Sequence, residues 1–155
     1  MKLITSLLFL LTFFGNAYAA STKEDYELQE KCGKQAQEFF IREYSNIAER
    51  MGRLYYSVTV SDDKYIVTTD YTNHYNKKLN KCFILVTIIV MTKETKDTKS
   101  SFSTAKDLKD INENKMIGIF HSEGPNNKPG LCEVLDKHCQ SQDGWDSLAK
   151  PYMEE

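Results

Sequence analysis

The chain contains no C-x-x-C, no G-x-S-x-G and no apolar run long enough to span a bilayer comfortably, the N-terminal one included. Each absence removes a class of function. Without C-x-x-C, and with three scattered histidines (His74, His121, His138), there is no recognisable zinc-ligand spacing. Without a nucleophile elbow, the serines lie in turns and loops and support no acyl-transfer triad. With 20 Lys+Arg against 22 Asp+Glu, there is no basic excess for a nucleic-acid surface. No cofactor motif is recognisable, and none is expected. Internal repeats and dividing linkers are also lacking, so the chain reads as one domain.

What is present begins with Met1-Lys2, an apolar stretch Leu3 to Phe14, and Gly15-Asn16-Ala17-Tyr18-Ala19-Ala20. A positive start, a short apolar middle and A-x-A at Ala17 and Ala19 predict a secretory signal over residues 1–19, cleaved after Ala19. No cysteine follows directly, which disfavours a lipoprotein. The expected mature domain, 20–155, has roughly 136 residues, enough to bury a core. It carries no further membrane span.

All four cysteines, Cys32, Cys82, Cys132 and Cys139, fall in that exported part, and an even number in an oxidising compartment predicts two disulfides. Three connectivities are possible in principle. From Thr22 to about Met51, Leu28, Cys32, Ala36, Phe39, Phe40, Tyr44 and Ile47 recur at three- and four-residue steps, which predicts a helix with Cys32 facing inward. Cys82 opens the run CFILVTIIVM, apolar on both faces and therefore read as a central strand covered on both sides. A Cys32–Cys82 bridge would pin helix to sheet, and Cys132–Cys139 would close a short local turn.

Further strands are expected at 54–60, 65–75, 102–111 and 115–120, with a short one at 131–134. Turns fall at 61–64, 76–80 and 112–114, and loops at 92–101 and 122–130. Ser141 is placed to cap a last helix through Trp145, Leu148 and Tyr152. The predicted fold is α+β: a long N-terminal helix on a mainly antiparallel meander of about five strands, closed by a short C-terminal helix.

Cys32 in an early helix, His74-Tyr-Asn-x-Lys-Leu-Asn-x-Cys-Phe83, the Cys132/Cys139 pair and Leu148-x-x-Pro-Tyr-Met153 together resemble a widespread family of small exported bacterial proteins. The resemblance covers most of the mature chain. It implies export and two disulfides and no particular reaction. The family pattern has an acidic residue where this chain has Gly144, which bears only on the cap of the last helix.

Candidate site residues cluster around HYNKKLNKCF. His74 is the best acid–base candidate, but Asp70, four residues earlier on the same strand face, lies about 13 Å away at strand spacing. Lys77, Lys78 and Lys81, with Asn76 and Asn80, suggest a small anion-binding loop, although asparagines also suit turns. Tyr55, Tyr56, Tyr65, Tyr71 and Tyr75 crowd two adjacent strands and suit a protein, peptide or glycan partner of the cell envelope. The expected function is an exported, non-catalytic binding protein using His74, Tyr71, Tyr75, Lys77 and Lys78. The alternatives are a small hydrolase working through His74, and a secreted inhibitor or scaffold.

Overall fold

A computed structural model describes residues 23–50, 65–94, 96, 99–124 and 128–154, without the side chains of 45–50 and 65. The expected signal peptide, the strand at 54–60 with Tyr55 and Tyr56, and the turn at 61–64 lie outside these residues. So does the side chain of Tyr65.

Helix α1 (Lys23–Arg50) is followed by β1 (Tyr65–Asn76), β2 (Lys81–Thr92), β3 (Ser101–Asp110), β4 (Lys115–Glu123), β5 (Lys128–Val134), β6 (Lys137–His138) and α2 (Gln142–Met153). The six described strands form one antiparallel meander in chain order. The fold is α+β, with one helix on each face of the sheet. Compared with expectation, β4 continues through Glu123 and β5 begins at Lys128, so much of the anticipated 122–130 loop is ladder. The two-residue β6 was not legible as a strand. It arises because the Cys132–Cys139 loop closes as a hairpin, with Leu135 at φ 53° and the Cys139 N–H donating to Cys132 O at 2.9 Å.

Register decides which residues face which helix. Tyr75 pairs with Cys82, Asn73 with Ile84 and Tyr71 with Val86, which sets these six on the α1 side. His74 pairs with Phe83 and Thr72 with Leu85, on the α2 side. On the α1 side, Ala36 and Phe39 pack on Ile84 and Val86, and Phe40 stacks on Tyr71 with ring centroids 4.6 Å apart. Tyr44 is buried and donates its hydroxyl proton to Asp107 Oδ2 at 2.9 Å. Burial, with the negative Asp107 beside it, pushes the Tyr44 phenol well above its ordinary pKa. Lys109 lies over the rings of both Phe39 and Tyr44.

On the other side, Trp145 of α2 is fully buried against Phe120 and its neighbours and donates from Nε1 to Glu133 O at 3.2 Å. Gly118 makes room for it: a Cβ there would lie 3.0 Å from Val134 Cγ2, 3.2 Å from Glu133 O and 3.5 Å from Trp145 Cζ2. Ser141 caps α2 as anticipated, its hydroxyl accepting from the Gly144 N–H at 3.1 Å.

The expectation that β2 is covered on both faces holds only for its first half. Cys82, Phe83, Ile84 and Val86 are buried, whereas Ile89 and Met91 are 36% and 48% exposed. Within the described residues, α2 covers the end of the sheet near Phe83 and leaves that face open toward Met91.

Candidate functional site

Every residue of the segment His74–Phe83 has a definite position. Tyr75 receives two contacts: its N–H donates to Gln29 Oε1 at 2.9 Å, and its hydroxyl donates to Asn80 Oδ1 at 2.6 Å. Asn76, 1% exposed, accepts from the Leu79 N–H at 3.0 Å and donates from Nδ2 to Pro151 O at 2.9 Å. Asn80 takes φ 52°, a left-handed conformation that asparagine tolerates better than most residues. Lys77 forms an ion pair with Asp25 of α1. Lys81 bonds the buried Asp110 carboxylate at 2.7 Å and Glu113 at 2.8 Å, and these bonds, Asp110 first, hold its ammonium above its ordinary pKa. Phe83 meets the edge of Tyr152, centroid to centroid 5.4 Å. The chain-distant Pro151-Tyr152 pair therefore docks directly on this corner.

Both disulfides form in the expected pairing, Cys32–Cys82 with Cα atoms 5.4 Å apart and Cys132–Cys139 with 5.0 Å. Two disulfides belong with an oxidising, non-cytoplasmic compartment. Among the described residues, no helix is long and apolar enough to cross a membrane.

The five candidate binding residues do not form one site. Tyr71 is absorbed into the α1 packing through Phe40. Lys77 is tied to Asp25, and Lys78 sits exposed in the turn. His74 lies on the opposite face from Tyr75, half-buried, and its Nε2 is buried with no hydrogen-bond partner among the described residues. No ion pair joins His74 to a described carboxylate. Asp70 accepts from the Tyr71 N–H. Asp110 stands two strands away across Phe83, about 10 Å by strand spacing. Its oxygens also accept from Asn112 N and Glu113 N. Among the described residues no three His, Cys, Asp or Glu side chains converge as a metal site.

Of the five, Tyr75 is the one that lines the cleft of about 230 Å³ formed, among the described residues, between α1 and the β1–β2 hairpin. Its walls are Leu28, Lys31, Cys32 and Gln35 from α1, Tyr75 and Asn80 from the hairpin, Cys82, and Asn112 from the β3–β4 turn. The α1 contribution follows from helix geometry, because positions 28, 31, 32 and 35 share one face. Once Cys32 is bonded to Cys82, the turns on either side of it are held over the same end of the hairpin. Lys31, Gln35 and Asn112 were not anticipated as site residues. For Lys31 and Gln35 the signal was their spacing from Cys32. Asn112 read as an ordinary turn residue, and no local feature distinguished it.

The lining carries one cation and no carboxylate. Lys31 has no ion pair among the described residues. The amides are already partly engaged: Asn112 Oδ1 accepts from the Cys82 N–H at 3.0 Å, and Asn80 Oδ1 accepts from Tyr75. Comparison with family models, characterised proteins and solved structures gave no match.

Proposed function

We propose that this protein is an exported, non-catalytic binding module of the cell envelope, periplasmic or secreted, with the α1–hairpin cleft as its ligand site. The observation that carries the reading is the composition of that cleft: polar side chains from three separate elements converge beside the buried Cys32–Cys82 bond, with no acid–base pair among them. A cross-linked wall is pre-organised, so ligand binding need not spend free energy on ordering it. Export is supported by the N-terminal sequence and the resemblance to small exported bacterial proteins, and agrees with the disulfides. The volume is below the roughly 300–1,000 Å³ of drug-sized pockets, which suits a single residue or sugar of a larger envelope component.

The hydrolase reading through His74 has less support, since no described carboxylate orients its imidazole and it does not face the cleft. The test is a pull-down from cell-envelope extract with immobilised mature protein, comparing wild type with Tyr75→Ala and Tyr71→Ala. The binding reading expects a retained component lost with Tyr75→Ala and kept with Tyr71→Ala, provided both variants fold. Retention unaffected by Tyr75→Ala, or turnover of envelope material that His74→Ala abolishes, would overturn it.

A further inference from the structure

The side chains lining the cleft include one ammonium, three amides and no carboxylate. Asn112 Oδ1 is occupied by a backbone N–H, which can only donate, so the orientation of this amide is unambiguous and its NH2 is what remains for a ligand. Asn80 Oδ1 is taken by the Tyr75 hydroxyl, which leaves the Asn80 NH2 as well. Lys31 adds a third donor and the only positive charge in the lining. Gln35 alone brings an uncommitted amide oxygen. Tyr75, its proton given to Asn80, can only accept, and Leu28 and the disulfide supply apolar surface.

Among the lining side chains there is one positive charge and no negative one, which favours an anion over a neutral polyol. An oxyanion accepts only, and a single lysine balances a single negative charge. We infer that the cleft binds a carboxylate, with Lys31 as its counter-ion and the NH2 groups of Asn112 and Asn80 as hydrogen-bond donors. This deepens the binding reading above and rests on it. A carboxylate of this size reaches the cell envelope from two sources, the C-terminus of a short peptide and a uronic acid. Their shared group is what the lining recognises.

The experiment titrates the ¹⁵N-labelled mature protein with N-acetyl-alanine and with glucuronate, each beside its neutral counterpart, N-acetyl-alaninamide and glucose. The side-chain NH2 signals of Asn80, Asn112 and Gln35 are the readout. Expected dissociation constants are about 0.1–5 mM, as suits a few polar contacts in a small cleft. At least one carboxylate should shift the Asn112 and Asn80 signals, and its neutral counterpart should not. Which acid binds tells peptide from sugar.

Lys31→Met should weaken binding roughly ten- to hundred-fold, and Lys31→Arg should retain most of it. Asn112→Asp is the sharper variant. It keeps an oxygen for the Cys82 N–H, so the turn survives, but it replaces the donor with a negative charge and should abolish carboxylate binding. Equal binding of acids and neutral counterparts would overturn the carboxylate assignment while leaving a binding cleft. No shift at 20 mM of either acid would overturn the assignment too; the binding reading would then fall or stand with the envelope pull-down.

Discussion

Asn76 is the residue on which the hairpin corner and the C-terminal helix both depend, and its replacement gives a sharp test of that dependence. It is 1% exposed, and its side chain satisfies two backbone groups, the N–H of Leu79 three residues on and the carbonyl of Pro151 75 residues on. In Asn76→Ala both lose their partner. A buried polar group left unpaired costs about 1–3 kcal/mol, so the pair costs about 2–6 kcal/mol, reduced toward the lower figure where water enters. With a urea slope of about 1.5 kcal/mol/M, the midpoint should fall by about 1.3–4 M. The chain has one tryptophan, Trp145, and it is buried in α2, so its fluorescence reports the docking of that helix.

Unfolding followed by fluorescence and by far-ultraviolet circular dichroism, with disulfides intact, therefore separates local loss from global loss. Asn76→Ala should shift both transitions, the fluorescence one first. Asn76→Asp keeps the acceptor for Leu79 but turns a carboxylate toward the Pro151 carbonyl, so it should impair α2 docking while sparing the turn. A midpoint change under about 0.3 M for Asn76→Ala would refute the reasoning, because it would mean that water replaces both bonds at no cost.

Removing Cys32–Cys82 by a double Cys→Ala change should cost about 4 kcal/mol in the chain-entropy estimate, against about 2.5 kcal/mol for Cys132–Cys139; paired thermal or urea unfolding curves would check the order. Gly118→Ala should cost about 1–3 kcal/mol and red-shift the tryptophan emission, since the new methyl meets backbone at Glu133 as well as a side chain. Tyr44 should make the fold sensitive to alkali. Its phenol ionises less readily in the folded chain than in the unfolded one, so its stabilisation is full below about pH 10 and declines as pH rises above that. Unfolding midpoints between pH 8 and 11 should therefore fall more steeply for wild type than for Tyr44→Phe, and equal slopes would contradict this account.

How the distinctive segment HYNKKLNKCF divides illustrates what local sequence can carry. Its turn, the strand on either side and the inward Cys82 follow from nearest neighbours: asparagines tolerate left-handed backbone, alternation sets the faces, and helical spacing aims Cys32 inward. Helix α1, the meander order and the Ser141 cap are legible for the same reason, since each depends on a period of two or of 3.6, or on a residue within three positions. The Cys32–Cys82 bridge follows from those faces, and Cys132–Cys139 from the short turn between its ends.

The partners of the side chains are another matter. Asn76 is buried because Pro151 returns over it, and Lys77 is engaged because the first turn of α1 passes beside it. Crowding in the sequence suggests one tyrosine surface, yet Tyr71 lies under Phe40 while Tyr75 lines the cleft, because α1 passes over the one and leaves space beside the other. The exposure of Ile89 and Met91 within an unbroken apolar run likewise depends on where α2 lies over the sheet. Sequence alone determined most of the described elements and their faces and pointed to the cross-links, because these are short-range properties of the chain. Only the tertiary structure decided which polar groups remain free to meet a ligand, because that depends on which of them the fold has already used to satisfy its own backbone and charges.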